Sequence, residues 1–302
     1  MFNRYFLIDV SYLTFSSAHA AFKTYNYEYN LTLSKLGPEY DPTIDDEFNY
    51  IFEQEMENRI LRAAQNAFPL IEKRNIIICT DCKRDTIWRR GIYPQYKMNR
   101  DTKDTSKDKF NLGAIFSYSR SYILPKLIEK FDCISVNSPC AEGDDIIAVT
   151  TEFLLNENPD NKVVIITSDR DMIQLCQDRV TIMTLEGTIR DPKGDMEKLM
   201  KKKIPDDITF GAKEFIMSKI ITGDNGDNIP NIQRGYGLVK AYKLVTEPGM
   251  KTLKSLLTED QLIKDRFTLN SKLISFKYIP EDIKENIIEE INTQRMKRDA
   301  NA

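Results

Sequence analysis

The segment Val163-Val164-Ile165-Ile166-Thr167-Ser168-Asp169-Arg170-Asp171 decides the fold of this chain of 302 residues. Its first four residues are β-branched and apolar without interruption, which is typical of a strand covered on both faces in a parallel sheet. The five residues that follow are polar, and two of them are acids. Ligand sites in such sheets lie at the carboxyl ends of the strands. The segment therefore predicts a central strand and, just beyond it, candidate site residues.

Similar short apolar runs recur along the first two thirds of the chain. They lie at residues 5–8, 76–79, 180–183 and, in a weaker form, 133–136, and they alternate with helical patterns at 48–73, 112–130, 144–156 and 171–176. Strands that alternate with helices favour an α/β, Rossmann-like and mostly parallel sheet. After about residue 206 the pattern becomes helical. We therefore predict two domains, at residues 1–195 and 196–302.

The composition excludes several classes of protein. The single histidine, His19, rules out sites that need two histidines, such as zinc-binding HExxH motifs. Five cysteines, an odd number, indicate reduced thiols and a cytoplasmic protein. No apolar run approaches the roughly 18 residues of a membrane span, and the N-terminus has no signal-peptide pattern. The net charge of −3 argues at first against a nucleic-acid partner.

Acidic residues occur at the ends of the predicted strands and at one helix start. Nine of them form the candidate set: Asp9, Asp81, Glu142, Asp144, Asp145, Asp169, Asp171, Asp224 and Asp227. Each could by itself be a turn or helix-capping residue. Gathered at one sheet edge, however, nine carboxylates would repel one another strongly unless cations neutralised them. Oxygen ligands without histidine or thiolate favour Mg²⁺ or Mn²⁺.

Charge is segregated elsewhere in the chain as well. Residues 83–109 contain nine basic and four acidic residues, with aromatic residues in or beside them. Residues 38–57 contain eight acids and no lysine or arginine, which is typical of a solvated helix face. The basic segment alone could be a solvated loop or a substrate-binding segment. Without the nine candidate carboxylates the rest of the chain would be net positive, so the global charge does not exclude a nucleic-acid partner.

Six motifs, in order, resemble those of the metal-dependent 5′-nucleases, the family of flap endonucleases, bacterial 5′→3′ exonucleases and phage-type RNase H. The ordered set covers about residues 9–245, and a glycine turn, Gly235-Tyr236-Gly237, follows the last motif. The motifs are Leu7-Ile8-Asp9, Thr80-Asp81, Tyr96-Lys97-Met98-Asn99-Arg100, Glu142-Gly143-Asp144-Asp145-Ile146-Ile147-Ala148, Thr167-Ser168-Asp169-Arg170-Asp171, and Gly223-Asp224-Asn225-Gly226-Asp227-Asn228-Ile229-Pro230.

This resemblance implies two metal sites that hold Mg²⁺, for which Mn²⁺ can substitute. The first site would use Asp9, Asp81, Glu142 and Asp144. The second would use Asp145, Asp169, Asp171, Asp224 and Asp227, with Asp145 able to serve both. The implied fold is PIN-like, with a helical arch at about residues 83–125 and a C-terminal all-α domain that carries a DNA-binding helix–turn–helix at about residues 215–245.

The resemblance also implies roles for basic and aromatic residues. Lys97 and Arg100 would be catalytic; three residues apart, they would share a face if this stretch is helical, and they would contact the scissile phosphate. Tyr96 would stack on a base, and Arg89 and Arg90 would contact DNA. In the helix–turn–helix, duplex phosphates and a K⁺ ion would bind at Arg234, Gly235, Gly237, Lys240 and Lys243. The turn departs from the usual form, because it is about one residue longer and has Asn231 where a glycine is habitual.

The resulting hypothesis is a 5′-nuclease that removes 5′ flaps or RNA primers by two-metal hydrolysis of a phosphodiester, leaving a 5′-phosphate. Expected partners are DNA with 5′ flaps, nicks or gaps, RNA/DNA hybrids and replication proteins. We expect a monomer without membrane contact. Two alternatives stay open: a non-catalytic protein that binds DNA junctions, and a PIN-like RNA endonuclease. The complete carboxylate set argues against the first, and the helix–turn–helix argues against the second.

Overall fold

The computed structural model describes residues 4–29, 37–67, 73–101, 108, 110–246 and 249–300. Within these residues six strands form one sheet in the order β3-β2-β1-β4-β5-β6. The first five strands are parallel, and β6 is antiparallel to β5. The strands are β1 Arg4–Asp9, β2 Ile76–Thr80, β3 Ile134–Asn137, β4 Lys162–Ile166, β5 Val180–Met183 and β6 Ile189–Arg190.

The described residues also form thirteen α-helices. Short 3-10 turns lie at Arg170–Leu175 and Asn225–Asp227, among others, and a π turn at Ser119–Ile123 joins α5 to α6. The helices are α1 Val10–Tyr29, α2 Asp46–Ala67, α3 Trp88–Ile92, α4 Met98–Asp101, α5 Leu112–Tyr118, α6 Leu124–Phe131, α7 Gly143–Glu157, α8 Pro192–Met200, α9 Ala212–Thr222, α10 Leu238–Val245, α11 Gly249–Glu259, α12 Gln261–Ile274 and α13 Glu281–Ala300.

Both faces of the sheet are buried, which explains the uninterrupted apolar runs. Alternate strand residues enter different cores: Phe6 and Ile8 pack with α1 and α2, whereas Leu7 packs with α7 and α13. The same alternation holds in β4, where Val164 and Ile165 face opposite sides. A strand covered on both faces needs apolar residues at every position. The predicted α/β, mostly parallel sheet is therefore confirmed.

The C-terminal region is helical, but its last helix returns to the sheet. Helices α8 to α12 form a separate core around Phe215, Ile221 and Leu244. Helix α13 instead places Ile283, Ile287 and Ile291 in the core that covers one face of the sheet. Residues on both sides of the predicted domain boundary therefore build the core behind the strands.

Several elements differ from the sequence predictions. The helix predicted at 171–176 is a 3-10 turn, and β6 had no apolar run to announce it. The helix predicted at 48–73 ends at Ala67, and residues 68–72 lie outside the described part. The acidic segment 38–57 leads into α2, where Glu53 and Glu57 pair with Lys126 and Lys130 of α6 at 2.7 Å. The expected solvated face is thus partly an ion-paired helix contact.

Substitution of Ile287 by alanine is expected to destabilise the protein by about 2–4 kcal/mol, because it removes a fully buried side chain between α13 and the sheet. Chemical denaturation followed by circular dichroism measures this change. Glu289→Ala, at an exposed position on the same helix, should change stability by less than about 0.5 kcal/mol. Equal effects of the two variants would show that α13 does not contribute to the core as described.

Candidate metal centre

The sheet brings three of the predicted acids together at the ends of adjacent strands. The strand order reverses between β1 and β4, which is where ligand crevices form in open α/β sheets. Asp9 ends β1, and its carboxylate accepts hydrogen bonds from the Thr167 hydroxyl at 2.9 Å and from the Tyr12 amide at 3.1 Å. Asp81 and Asp169 follow β2 and β4. All three carboxylates therefore lie at one rim, as the sequence predicted.

Crowding at this rim changes the protonation of Asp9. Burial, together with the nearby Asp81 and Asp169 carboxylates, raises the pKa of Asp9 to about 6, against the hydrogen bonds that favour its ionised form. A carboxyl group whose pKa is higher in the folded than in the unfolded state destabilises the folded state when it is ionised. The ionised centre is therefore strained at neutral pH, mainly by the burial of Asp9 and also by the neighbouring negative charges, and a bound cation would relieve that strain.

Helix α7 supplies three more acids at its N-terminus. Glu142 precedes the helix, and ligand oxygens of Glu142, Asp144 and Asp145 lie within 4.8 Å of one another. The Gly143 amide donates to Asp81 at 2.6 Å, which fixes the helix start against the strand-end acids. A side chain at position 143 would place its Cβ 3.1 Å from the same Asp81 oxygen, so glycine allows the close approach. The partial positive charge of the helix start favours these acids there.

The remaining acids come from the turn after α9 and from the loop after β4. Asp224 and Ile229 exchange two backbone hydrogen bonds of 2.8 Å, and the loop they close presents Asp224 and Asp227. Gly223 makes this turn possible: its φ is +67°, and a Cβ there would lie 2.3 Å from the Ile229 carbonyl oxygen. On the other side, Asp171 donates its amide to Asp169 at 2.8 Å.

Two cations of the basic segment face these acids. Lys97 forms a very short contact with Glu142 and lies 3.7 Å from Asp227, while Arg100 pairs with Asp227 at 2.5 Å. The expectation that a helix places both on one face is not met, since Lys97 has a left-handed φ of 56° and α4 begins only after it. Both cations nevertheless reach the same aspartate.

A third cation, Lys219, was not anticipated from the sequence. It lies on α9 and bridges Asp171, by a very short contact, and Asp224, at 2.9 Å. The only signal was its position five residues before Asp224, which in a helical run carries little information. Lys219 nevertheless joins the loop after β4 to the acidic turn.

Lys97 links Glu142 to Asp227, and Lys219 links Asp171 to Asp224. Asp145 is buried behind the rim and faces Arg89. Burial opposes ionisation of Glu142, but Lys97 and Arg89 outweigh it and hold the pKa of Glu142 below its ordinary value. Burial raises the pKa of Asp227 despite Lys97 and Arg100, and burial and neighbouring acids raise the pKa of Asp144 well above its ordinary range. The pKa values of the acids in this centre therefore shift in opposite directions, according to whether burial or a neighbouring cation dominates.

The expected DNA contacts of Arg89 and Tyr96 need correction. Arg89 is 1% exposed and Tyr96 is 2% exposed, so neither presents a surface to a base or phosphate. The guanidinium of Arg89 faces Asp145 and Glu142, and the Tyr96 hydroxyl donates to Glu142 at 3.0 Å. Arg90 is partly exposed and pairs with Asp101 at 2.6 Å. Lys103, Lys107 and Lys109 of the predicted arch lie outside the described residues.

The predicted helix–turn–helix residues are on the surface. Arg234, Lys240 and Lys243 are exposed around a glycine turn in which Gly235 has a φ of +85°. Helix α10 begins at Leu238, directly after Gly237, so its free amide groups open beside these cations. Lys240 rests over the Tyr236 ring at 3.5 Å. This surface suits sequence-independent contacts to phosphate.

The donor set is that of a hard divalent cation. The nine acids offer only carboxylate oxygens. Cys79 is buried, and that burial, with Asp9 and Asp81 nearby, raises the pKa of its thiol well above the ordinary value. A neutral thiol is a poor metal ligand, so soft metals gain no advantage here. The carboxylate oxygens thus suit a divalent metal ion.

Comparison with known proteins gives independent information. A family model described as the 5′-3′ exonuclease N-terminal resolvase-like domain matches residues 4–206, and one for the C-terminal domain of T4 RNase H matches residues 211–301. Ribonuclease H of Enterobacteria phage T4 is 27% identical over 234 residues, covering 73% of this chain and 70% of that protein. The 5′-3′ exonuclease of Bacillus subtilis is 25% identical over 206 residues, covering 68% of this chain and 62% of that protein. The match therefore spans less than two thirds of the Bacillus protein.

Solved structures show the same fold. The bacteriophage T5 flap endonuclease, in a complex with DNA and metal ions, superimposes with a TM-score of 0.64 at 17% identity, over 96% of this chain and 98% of that one. The T5 5′-exonuclease with bound divalent zinc gives a TM-score of 0.63 at 18% identity, over 97% and 99% of the two chains.

Among the described residues, no helix is both long and apolar enough to cross a membrane.

The Asp9→Asn variant is expected to be more stable than the wild type in EDTA at pH 7.5, by about 1–2 kcal/mol, because it removes a carboxylate whose ionisation is costly. Since the raised pKa of Asp9 is about 6, the difference should shrink as the pH falls from 6 to 4, where Asp9 becomes protonated. Thermal unfolding across this pH range measures it.

Mg²⁺ should reverse the order of stability, because the wild type gains more from a bound cation than Asp9→Asn does. Asp160→Asn, at an exposed position before the amino end of β4, is the control and should follow the wild type throughout, because the rim lies at the other end of this strand. A wild type more stable than Asp9→Asn in EDTA at pH 7.5 would contradict the view of a centre strained by its own charge.

Proposed function

The chain belongs to the 5′-3′ exonuclease family, and from this premise we propose that it is a magnesium-dependent, structure-specific 5′-nuclease. The observation that carries the proposal is the rim of eight carboxylates, with Asp145 buried behind it, faced by Lys97, Arg100 and Lys219. Acids hold divalent ions and bases hold phosphate, and hydrolysis of a phosphodiester needs both at one place. The proposed substrates are 5′ flaps and the 5′ ends of nicked or gapped duplexes, including RNA primers paired with DNA.

Two groups of residues would hold two Mg²⁺ ions. Asp9, Asp81, Glu142 and Asp144 lie on the side of β1, β2 and α7, whereas Asp169, Asp171, Asp224 and Asp227 lie on the side of β4 and the turn after α9. Asp145, which the resemblance also assigned to the second site, is completely buried and held by Arg89, so it is left out of both groups. The chemistry that two bound divalent ions supply is activation of the attacking water and neutralisation of charge on the scissile phosphate and the leaving oxygen. The same donor set accepts Mn²⁺.

Lys97 and Arg100 would move from carboxylate to phosphate partners when substrate binds. Both reach Asp227 at the rim, where a phosphodiester drawn to the carboxylate-bound cations would arrive. With divalent cations bound beside Glu142 and Asp227, the two side chains would lose part of their attraction to these acids. They can then stabilise the negative charge that develops on the phosphoryl oxygens.

The helix–turn–helix would bind the duplex part of the substrate at a surface separate from the carboxylate rim. Arg234, Lys240 and Lys243, with the amide groups at the start of α10, form a phosphate-binding surface without acids between residues 233 and 243. Such contacts fix the position of the duplex and carry no sequence information. We include in the proposal that the glycine turn takes a K⁺ ion beside the phosphates.

The proposed place of action is the cytoplasm, alongside replication proteins and as a monomer. All five cysteines are free thiols. Burial raises the pKa of Cys133 to about 12 and that of Cys82 to about 11, so these thiols stay protonated and unreactive at neutral pH. This chemistry suits a reducing compartment.

The wild type is expected to cleave a labelled 5′-flap substrate with Mg²⁺ and to be inactive in EDTA. Asp169→Asn should lower the single-turnover rate by about 100-fold or more, because the carboxylate that it removes helps to hold a cation. The asparagine keeps an oxygen that can accept the Asp171 amide, so the local turn is preserved. Asp160→Asn is again the matched control.

Binding to the flap without any Mg²⁺-dependent product would overturn the proposal in favour of a non-catalytic junction-binding protein. Cleavage of single-stranded RNA in preference to flap DNA would instead favour the PIN-like endonuclease. Full activity of Asp169→Asn would show that Asp169 is not needed to hold a cation, and it would leave the proposed reaction itself unaffected.

Lys97→Ala should slow single-turnover cleavage by about 100–1,000-fold and change the dissociation constant for flap DNA only a few-fold, because Lys97 acts mainly on charge that develops during the reaction. Lys240→Ala is the complementary variant. It should weaken binding and reduce its salt dependence, with little effect on the single-turnover rate. Equal losses of rate and affinity in Lys97→Ala would contradict this division of roles.

A further inference from the structure

A buried arginine lies directly behind the carboxylates at the start of α7. Arg89 is 1% exposed, and each of its three guanidinium nitrogens donates a hydrogen bond. Nη1 donates to Glu142 and Asp145, each at 2.8 Å, Nη2 donates to Asp145 at 2.7 Å, and Nε donates to the Leu273 carbonyl at 2.8 Å. Such a fork fixes the direction of a carboxylate as well as compensating its charge.

The partner carboxylate, Asp145, is fully occupied by protein donors. It is completely buried and accepts from both terminal nitrogens of Arg89, from the Trp88 indole at 2.9 Å and from the Glu142 amide at 3.1 Å. The Trp88 ring also lies against the guanidinium, with 4.5 Å between the ring centroid and Cζ. Asp145 therefore anchors Arg89 from behind.

Glu142 differs from Asp145 because only one of its oxygens is held by the interior. Its Oε2 accepts from Arg89 at 2.8 Å and from the Tyr96 hydroxyl at 3.0 Å. Its Oε1 faces Lys97, on the rim side. The two inward hydrogen bonds thus determine which oxygen of Glu142 is presented to the rim.

We propose that Arg89 is a positioning residue of the metal centre, which uses Asp145 as its buried counter-ion and holds Glu142 with Oε1 directed to the rim. The inference rests on the proposed function of the same site. Through the Leu273 carbonyl, Arg89 also connects the centre to the end of α12. The segment predicted to bind DNA thus contributes, at Arg89, to the orientation of a metal ligand.

The experiment measures binding of Mn²⁺ to the whole chain without DNA, by isothermal titration calorimetry, with folding checked by circular dichroism. Arg89→Gln should weaken Mn²⁺ binding by about tenfold or more, as loss of a ligand's supporting hydrogen bonds commonly does. Arg89→Lys keeps the charge without the fork and should lie between Arg89→Gln and the wild type. Arg84→Gln removes an exposed arginine that pairs with Asp101, and it should bind Mn²⁺ as the wild type does.

Asp145→Asn and the double variant Arg89→Gln/Asp145→Asn complete a cycle. The double variant removes both charges of the buried pair, so it should fold even if Arg89→Gln alone leaves Asp145 uncompensated and unfolds. If the two residues act as one unit, their effects do not add. The double variant should then bind Mn²⁺ at least as tightly as the folded single variant with the lower Mn²⁺ affinity. Glu142 lacks its support in the double variant, so its affinity should still be about tenfold below that of the wild type.

Three results would overturn the role of Arg89. They are wild-type affinity in folded Arg89→Gln, wild-type affinity in the double variant, or a loss in the double variant equal to the product of the two single losses. A wild type that binds no Mn²⁺ would instead overturn the proposed function, and this inference with it. The two failures are therefore distinguishable in one set of titrations.

Discussion

Mutual repulsion of carboxylates at one rim of the sheet is the constraint on which the rest of this structure depends. Eight acids are drawn together there by strand ends, a helix start and a glycine turn, with Asp145 buried behind them. Burial above all, and then neighbouring acids, raise the pKa values of Asp9, Asp144 and Asp227. The lowered pKa values of Glu142 and Asp224 show where lysine and arginine compensate it. Ionisation of the carboxylates is thus unfavourable at some positions of the rim and is stabilised by cations at others.

The compensating cations explain how distant segments come to meet. Lys97 and Arg100 connect the basic segment after β2 to the turn after α9, and Lys219 connects that turn to the loop after β4. Arg89 lies behind them and reaches the end of α12. Each contact joins parts of the chain that share no secondary structure. The electrostatic balance of the rim therefore holds the helical C-terminal region against the sheet, in addition to apolar packing.

The fold and the acids of the site were largely predictable because their signals are local and periodic. A strand buried on both faces must be apolar throughout, and an acid directly after it must lie at the sheet edge, as Asp9 does. The roles of the basic residues were not predictable in this way. Arg89 and Arg90 are adjacent and chemically identical, yet one is buried against Asp145 and the other pairs with Asp101 nearer the surface. The sequence pattern does not distinguish these two arginines, because their burial depends on which other elements of the fold pack against each side chain.

By itself, the sequence determined that the chain forms a mostly parallel sheet and that its acids collect at the carboxyl ends of the strands. Both follow from the two-residue repeat of a strand and the common direction of parallel strands. Only the tertiary structure decided which cations enter the rim, which oxygen of Glu142 faces it, and that α13 covers the sheet. These outcomes depend on contacts between residues far apart along the chain, such as Arg89 and Leu273, which are 184 positions apart. Spacing along the chain carries no information about such contacts, because they form only when the packed elements bring the side chains together.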